Sequence, residues 1–555
     1  MGCHGRIGDG WDVMKDVCVV GTGAAGGVWI DVCTRAGLEV VALERGPLLR
    51  PSDFAQHDEW SNIERSDGFA PSWRDTLRET ESETARLGRS SMLAQCVGGG
   101  TAHWGSHSWR YREDEFELRS VEGKVEGANL ADWPIDYAEL EPWYERAERR
   151  LGLAGRAGAN PFEPARAKGY PNPPHAPRRA TLALERGAKA LGRHPFPTPL
   201  AINSRPYQGR GVCLNGGQCS NFGCPTEAKA STLSIHIPAA LATGRLDLRV
   251  ETRVTELVVG QAGRVVAART IDSAGREGEV RARAFVLAAG SLASPHLLLY
   301  SRSARFPHGL GNDSGLVGRN LMFHIFSYVG FELPEPSMGA LGPAGMVSID
   351  DFHPSDASRG YIRGGVISEA AEPGPLWAAY KAPDYLGSQA GAWGKPLKDY
   401  LRRYPYLGAM ISIGEDLPQL SNRVDLDPDH VDEHGIPLPR ITHRSHPNDL
   451  ALARSLEDEM KQIALAAGAV KAWGFDFTRA KGGTGHLLGT CRMGNDPATS
   501  VVDRDCRSHE VPNLYVPDGS CFPSSGGYNP TLTIFANAER CATSFVEKTR
   551  RKEAT

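Results

Sequence analysis

Apolar residues occur along this chain in short blocks whose spacing sorts strands from helices. Residues 17–20 form a four-residue apolar run between polar neighbours, the pattern of a buried strand. A helical stretch follows from about 24 to 36. Gly37 ends it, and 39–43 reads as a second strand, so the chain opens as a βαβ unit. Residues 246–259 and 265–271 alternate enough to be strands, and 285–289 is another buried strand running into Gly290. Residues 456–467 carry the spacing of an amphipathic helix. The polar, tryptophan-bearing stretch 51–82 shows no such period. Residues 155–178, rich in Pro, Ala and Arg, read as a surface excursion, and 330–410, rich in Gly, Pro and aromatics, read as irregular. The segment 97–105 is too rich in glycine for the interior of an element. It reads as a loop that lets the backbone approach a ligand. No repeat of 20–50 residues is present, and no run of eighteen apolar residues predicts a membrane span.

Composition narrows this picture. The 555 residues are 41% hydrophobic and 23% charged, ordinary for a soluble globular chain and long enough for a large core. The length prior allows three or four domains. A net charge of −4 gives no electrostatic case for nucleic acid or an anionic membrane surface. Eleven cysteines, an odd number and mostly scattered, are no disulfide framework. A reducing compartment fits best. Residues 1–10 carry no recognisable export signal, so the expected location is the cytoplasm.

The first motif with chemistry is Gly21-Thr22-Gly23-Ala24-Ala25-Gly26, between the first strand and the first helix. Gly21 makes the tight turn, Gly23 lets the backbone approach a pyrophosphate, and Gly26 lets helix and strand pack. The helix N-terminus then faces the phosphates. Glu44, at the end of the second strand, is placed to accept from ribose hydroxyls, which disfavours NADP and leaves FAD or NAD.

Further along, Ala288-Ala289-Gly290-Ser291-Leu292-Ala293-Ser294-Pro295 resembles the second signature of the glucose–methanol–choline (GMC) flavoprotein oxidoreductases. Arg302 stands where that family usually has Gly. Segments 315–322 and 422–428 resemble other parts of the family, and the resemblance runs from Val17 to Cys541. Gly485 to Gly494 resembles the catalytic-histidine segment, with His486 as the histidine. Asn529, 43 residues later in Gly527-Tyr528-Asn529-Pro530-Thr531, stands where the family carries its second catalytic residue. Asn529-Pro530 also reads independently as a helix start, with Asn as N-cap and Pro in the first turn.

The resemblance implies an α/β (α+β) fold with a Rossmann-like FAD domain in three pieces, 12–120, 205–330 and 481–550. It implies a substrate domain from 121–204 and 331–480, built on an antiparallel sheet that roofs the flavin. It assigns the cofactor to Gly21, Gly23, Ala24, Ala25, Gly26, Glu44 and Arg45. It adds Gly98, Gly99, Gly100, Thr101, His103 and Trp104 around the ring, with Val254, Ala289, Gly290, Asp518 and Gly519. Asn529, Pro530 and Thr531 complete the set, the helix after them pointing its positive end at the flavin. The implied reaction is oxidation of CH–OH to carbonyl. His486, near its ordinary pKa of ~6.5, takes the hydroxyl proton, Asn529 donates to the alkoxide, and the hydride goes to flavin N5.

The lettering of the 98–105 loop resembles the pyranose oxidases and flavin sugar dehydrogenases. In some of those relatives the matching histidine is joined covalently to the flavin, which leaves His103 either bonded to FAD or hydrogen-bonding beside it. Cys213, Cys219 and Cys224 could hold zinc or an iron–sulfur cluster. Membrane-linked sugar dehydrogenases carry a cluster on a similar spacing, but here the second gap is one residue longer, and metal-free thiols are the favoured reading. The expected substrate is a sugar or glycoside. The alternatives are another hydroxylated metabolite, or an electron-relay subunit whose chemistry lies on a partner. Oxygen, quinone and cytochrome stay open as acceptors. A small partner subunit bearing an export signal would carry the chain to the periplasm instead.

Overall fold

The structure, a computed structural model, describes residues 14–54, 59, 74–88, 93–217, 219–220, 222–343, 345–370, 374–386, 393–475 and 485–551. The N-terminal decapeptide and much of the stretch 51–82 lie outside them.

Three sheets organise the molecule. The first is built on β1 (Lys15–Val20) and β2 (Val40–Leu43). It also takes β6 (Leu246–Arg249), β7 (Thr252–Val259), β8 (Val265–Asp272), β9 (Glu277–Leu287) and β17 (Leu514–Tyr515). Its order is β6-β2-β1-β9-β8-β7, with β17 also on β9. Strands β6, β2, β1, β9 and β17 run parallel. The N-terminal half of β9 pairs antiparallel with β8 instead, so one strand serves two arrangements. The apolar runs at 17–20 and 284–287 follow from burial on both faces. The helices Ala24–Arg35 and Thr531–Arg550 pack together on this sheet. Trp29 is fully buried between them, 5.3 Å from the Tyr515 ring and 5.4 Å from Phe545.

The second sheet is antiparallel, in the order β16-β10-β13-β12-β11-β5. It comprises β5 (Pro195–Pro197), β10 (Ile325–Glu332), β11 (Val347–Ile349), β12 (Gly365–Ala370), β13 (Leu407–Gly414) and β16 (Lys471–Phe475). The helix Pro447–Ala466 lies on it through Leu452, Leu456, Met460 and Ile463, one turn apart or nearly so. That helix begins nine residues before the expected start, because Pro447 sits in its first turn, where a missing N–H costs nothing. The third sheet joins β3 (Asp75–Arg78) and β4 (Arg86–Gly88) to β14 (Arg423–Val431) and β15 (Pro437–Thr442).

One expectation fails. Residues 330–410 are not irregular: they hold the end of β10, all of β11 and β12, the first half of β13 and the helices Pro375–Leu386 and Gly394–Arg403. The glycines that look like loop punctuation are strand residues in tight contact. A Cβ on Gly408 would stand 2.4 Å from the Phe331 ring, and one on Gly365 would stand 2.1 Å from the Ile413 carbonyl oxygen. Residues 155–178 form no helix or strand and lie largely at the surface, as expected, but they are pinned to the protein at several points. Asn160 Nδ2 donates to Asp350 at 2.9 Å, and Asn172 Nδ2 donates to the Gly152 carbonyl at 2.8 Å. Arg166 lies 4.0 Å over the Tyr170 ring while pairing with Glu148. No helix among the described residues is long and apolar enough to cross a membrane.

Candidate active site

The turn after β1 shows what each glycine is for. Gly21 has φ +91°, and a Cβ on it would meet the Ala288 carbonyl oxygen at 2.5 Å. A Cβ on Gly26 would stand 2.0 Å from the Gly21 carbonyl oxygen. Around Gly23 no atom comes within 4 Å of that position. The outer two glycines are therefore demanded by the protein, and the middle one borders open space. Ala24 and Ala25 begin the helix, and no side chain caps it. This is a fitting cradle for a dinucleotide phosphate.

Glu44 is first of all an anchor of this turn. Its Oε2 accepts from the Thr22 N–H at 3.1 Å and hydroxyl at 2.7 Å, and its Oε1 accepts from the Gly46 N–H at 3.1 Å. Burial pushes its carboxyl pKa up, against those three bonds. Arg45 is half-buried, and burial, then Arg253, lowers its pKa to about 10. The Thr252 N–H donates to the Glu44 carbonyl at 2.8 Å, which brings the strand of Val254 alongside. The glycine loop lies directly on the turn. The Gly98 N–H donates to Thr22 Oγ1 at 3.1 Å, and a Cβ on Gly99 would be 3.0 Å from the Gly23 Cα. Gly100 borders open space, like Gly23. Thr101 Oγ1 donates to the Gly98 carbonyl at 2.6 Å. His103 is buried, edge-on to Phe54 at 6.2 Å, and Trp104 Nε1 donates to the Ala230 carbonyl at 2.7 Å.

Asp518 occupies both carboxylate oxygens with protein donors. The Gly290 N–H and Ser294 hydroxyl bind one at 2.8 and 2.7 Å, and the Ser520 N–H binds the other at 3.0 Å. Gly519 follows it in a turn packed on Leu487, and Ala289 precedes Gly290 at the head of the helix Gly290–Tyr300. This aspartate ties the C-terminal segment to the helix that starts beside Gly21.

His486 and Asn529 are brought together. Asn529 Nδ2 lies 3.1 Å from His486 Nε2, its N–H donating. The amide is therefore not the helix cap that the sequence suggests. The helix begins at Thr531 with Pro530 in the cap position, and the Asn529 side chain turns to the imidazole instead. Asn529 Oδ1 is buried and without a partner among the described residues. Burial, with His107 adding to it, pushes the His486 pKa down to about 3, well below the expected ~6.5. The ring is neutral across the physiological range.

Several residues here escaped the sequence reading. His324 Nδ1 lies 3.0 Å from His486 Nδ1. His107 is buried, stacks on Trp109 at 5.4 Å, and burial lowers its pKa to about 4. Trp109 stacks in turn on Tyr528 at 5.8 Å, and the Tyr528 hydroxyl donates to Asp350 at 2.7 Å. The Tyr528 ring lies 4.0 Å from that of His353, which binds Glu115 at 2.7 Å and Asp350 at 3.3 Å. Burial opposes charge on His353, but the bonds to Asp350 and Glu115 prevail and hold its pKa up to about 9. Glu415 accepts from the Ser525 and Gly526 N–H groups, each at 3.1 Å, and so holds the loop that leads to Asn529. Burial, then Glu115, raises the Glu415 pKa to about 7. Apart from His107 on Trp109 and His353 on Asp350, these contacts join residues far apart in sequence, and only the single letters His and Tyr hinted at them.

Cys213, Cys219 and Cys224 gather around Leu200, Ile202 and Ala228. Buried Lys229 donates from Nζ to the carbonyls of Trp104 at 3.0 Å and Cys219 at 2.7 Å, joining the cysteine loop to the glycine loop. A second thiol group was not foreseen. Cys506, Cys521 and Cys541 are fully buried, with Cys506 Sγ 3.7 Å from Cys521 Sγ and 3.3 Å from Cys541 Sγ.

Family models described as GMC oxidoreductase match residues 19–326 and 418–538. Paromamine 6'-oxidase of Streptomyces fradiae is 34% identical over 96% of this chain and 92% of its own length. The 2-methyl-1,2-propanediol dehydrogenase of Mycolicibacterium austroafricanum is 35% identical over 95% and 94%. The gluconate 2-dehydrogenase flavoprotein of Pantoea cypripedii is 30% identical over 94% and 92%. Among solved structures, pyridoxine 4-oxidase from Mesorbium loti shares the fold with a TM-score of 0.64 at 18% identity, covering 96% of this chain and 99% of its own. With the dinucleotide turn and the histidine–asparagine pair in one molecule, the chain belongs to the GMC oxidoreductase family, FAD-dependent enzymes that act on CH–OH donors.

Proposed function

We propose that His486 is the base that takes the substrate hydroxyl proton, and that the substrate is a sugar or a glycoside. The observation that carries the first part is the 3.1 Å contact between His486 Nε2 and Asn529 Nδ2. FAD, when bound, supplies the acceptor for the hydride. His486 stays neutral, so its ring can accept the hydroxyl proton at Nε2 once the substrate hydroxyl replaces the Asn529 N–H on that single lone pair. Asn529 has a second N–H, and directs it at the oxygen on which negative charge develops. His486→Ala, at unchanged FAD content, is expected to slow anaerobic flavin reduction by roughly 10²–10⁴-fold, the usual worth of a general base. A parental rate would remove His486 from this role.

The sugar reading is supported by the relative named for gluconate; the relative named for a propanediol favours a second reading, a non-sugar hydroxylated metabolite. One relative is named an oxidase and another a dehydrogenase at nearly equal identity, so a substrate panel needs both oxygen and an artificial acceptor. The relay-subunit reading fails if that panel contains an alcohol that bleaches the flavin. For the cysteine loop we propose thiols without metal. Supporting this, burial pushes the Cys213 thiol up to about 11, Cys213 Sγ accepts from the Asn215 N–H at 3.4 Å, and Cys224 Sγ lies 3.4 Å from Thr226 Oγ1. We keep the cytoplasm as the proposed location, tested by fractionating the native host.

A further inference from the structure

Behind His486 stands a second histidine that the proposed reaction leaves unused. We propose that His324 is a positioning residue that fixes which ring nitrogen of His486 carries hydrogen, and so points the bare nitrogen of the base at the substrate. This rests on the reading of His486 as the base. Backbone register brings the two together. Met322 and Leu488 form an antiparallel bridge, exchanging N–H···O bonds of 3.1 and 3.0 Å. Two residues on along one strand is His324, and two residues back along the other is His486, so they stand opposite each other. Their rings meet perpendicular at 5.0 Å, with the two Nδ1 atoms 3.0 Å apart.

Only one hydrogen fits between two ring nitrogens, so this bond has a direction, and His324 decides it. His324 Nε2 lies 3.0 Å from the Ser525 carbonyl oxygen, which can only accept. That nitrogen therefore carries a hydrogen. His324 is 2% exposed, and burial, then His486, holds its pKa well below the usual value, so it is neutral and has no other ring hydrogen to give. Its Nδ1 is a bare lone pair. The hydrogen between the rings then belongs to His486 Nδ1. A neutral His486 with hydrogen on Nδ1 has a bare Nε2, and Nε2 is the atom that faces Asn529. The chain of directions ends on a fixed point. The Ser525 carbonyl also accepts from the Tyr111 hydroxyl, and Glu415 holds the Ser525 and Gly526 N–H groups at 3.1 Å each. A peptide carbonyl cannot turn round and donate, so the polarity of the whole row is locked. When the substrate proton arrives on Nε2, the imidazolium still has an acceptor for its Nδ1–H.

The holoenzyme labelled with ¹⁵N-histidine tests this directly. Two-dimensional ¹H–¹⁵N spectra, with the His486 signals identified by their loss in His486→Gln, are expected to show one tautomer, protonated at Nδ1 and bare at Nε2. Protonation at Nε2 overturns the proposal. Two variants supply the kinetics, compared at equal FAD content. His324→Leu keeps the volume and removes the acceptor, and is expected to slow anaerobic flavin reduction by roughly 10²-fold or more, on the scale of acid–base catalysis. His324→Asn places Oδ1 where Nδ1 stood, and is expected to recover to within about tenfold of the parent, a deficit of about 1.4 kcal/mol. A parental rate in His324→Leu overturns the proposal, as does an Asn variant no better than the Leu one, which would mark a merely structural role. A parental rate in His486→Gln is a different failure: it removes the base reading itself, whatever the His324 variants do.

Discussion

At Gly26 the fold leaves no room for one methyl group, since a Cβ would stand 2.0 Å from the Gly21 carbonyl oxygen. Backbone must move to admit it, and the backbone that moves is the turn Gly21–Gly23. Gly26→Ala is therefore expected to fold but to purify with a much lower ratio of flavin to protein absorbance, with FAD affinity down by about 10–100-fold, the equivalent of an overpacking cost of ~1–3 kcal/mol. Flavin content equal to the parent would sink this. The three glycines were legible because their roles are local: a turn, a gap and a close packing contact within six residues. His486 and Asn529 were legible only as letters that resemble a family. Their partner His324 was not, because its role depends on Met322 pairing with Leu488, 166 positions away, and no local pattern carries that register. Asn529 before Pro530 was misread as a cap for a related reason. Local preference offers its amide to the helix, and a tertiary partner claims it.

Among the elements, the parallel strands announced themselves because burial on both faces forces uninterrupted apolar runs. The antiparallel sheet was expected only through the family resemblance, and its strands were hidden by their own packing. Gly365 and Gly408 sit in β12 and β13 where a neighbouring carbonyl or ring leaves no space, and a sequence reader takes such glycines for turns. The cysteine loop 213–224 belongs to this scale too. Its thiols lie on Ile202 and Leu200, and Lys229 closes the loop through backbone carbonyls rather than through sulfur. The purified protein is accordingly expected to contain no stoichiometric iron or zinc by elemental analysis. Three iron atoms per chain, lost in Cys219→Ser, would reverse this and move the protein towards the electron-transferring dehydrogenases.

For the whole molecule, a buried charged cluster joins segments far apart in the chain beside the site. His353, raised to about 9 from 6.5, lies between Glu115 and Asp350 beneath Tyr528, one residue from Asn529. A histidine whose folded pKa exceeds its unfolded value contributes stability that is fully present below about pH 6.5 and is lost as pH rises through about 9. Thermal unfolding of the holoenzyme is expected to move to lower temperature between those two values, and His353→Phe should flatten that slope. A parental slope in the variant would show that another group titrates. The strand β9 has a consequence of a different kind. Its two parallel partners in the first sheet are β1, some 270 residues earlier, and β17, some 230 residues later. The sheet around the dinucleotide turn thus cannot close until nearly the last residue has been made. At ~5–20 residues per second, synthesis of this chain takes roughly half a minute to two minutes. Strand β1 has both of its neighbours, β2 and β9, once residue 287 is made, about halfway through that time, and β17 joins β9 only near its end. The pair His486–Asn529 lies entirely in the last 70 residues, so it forms only when synthesis is nearly finished.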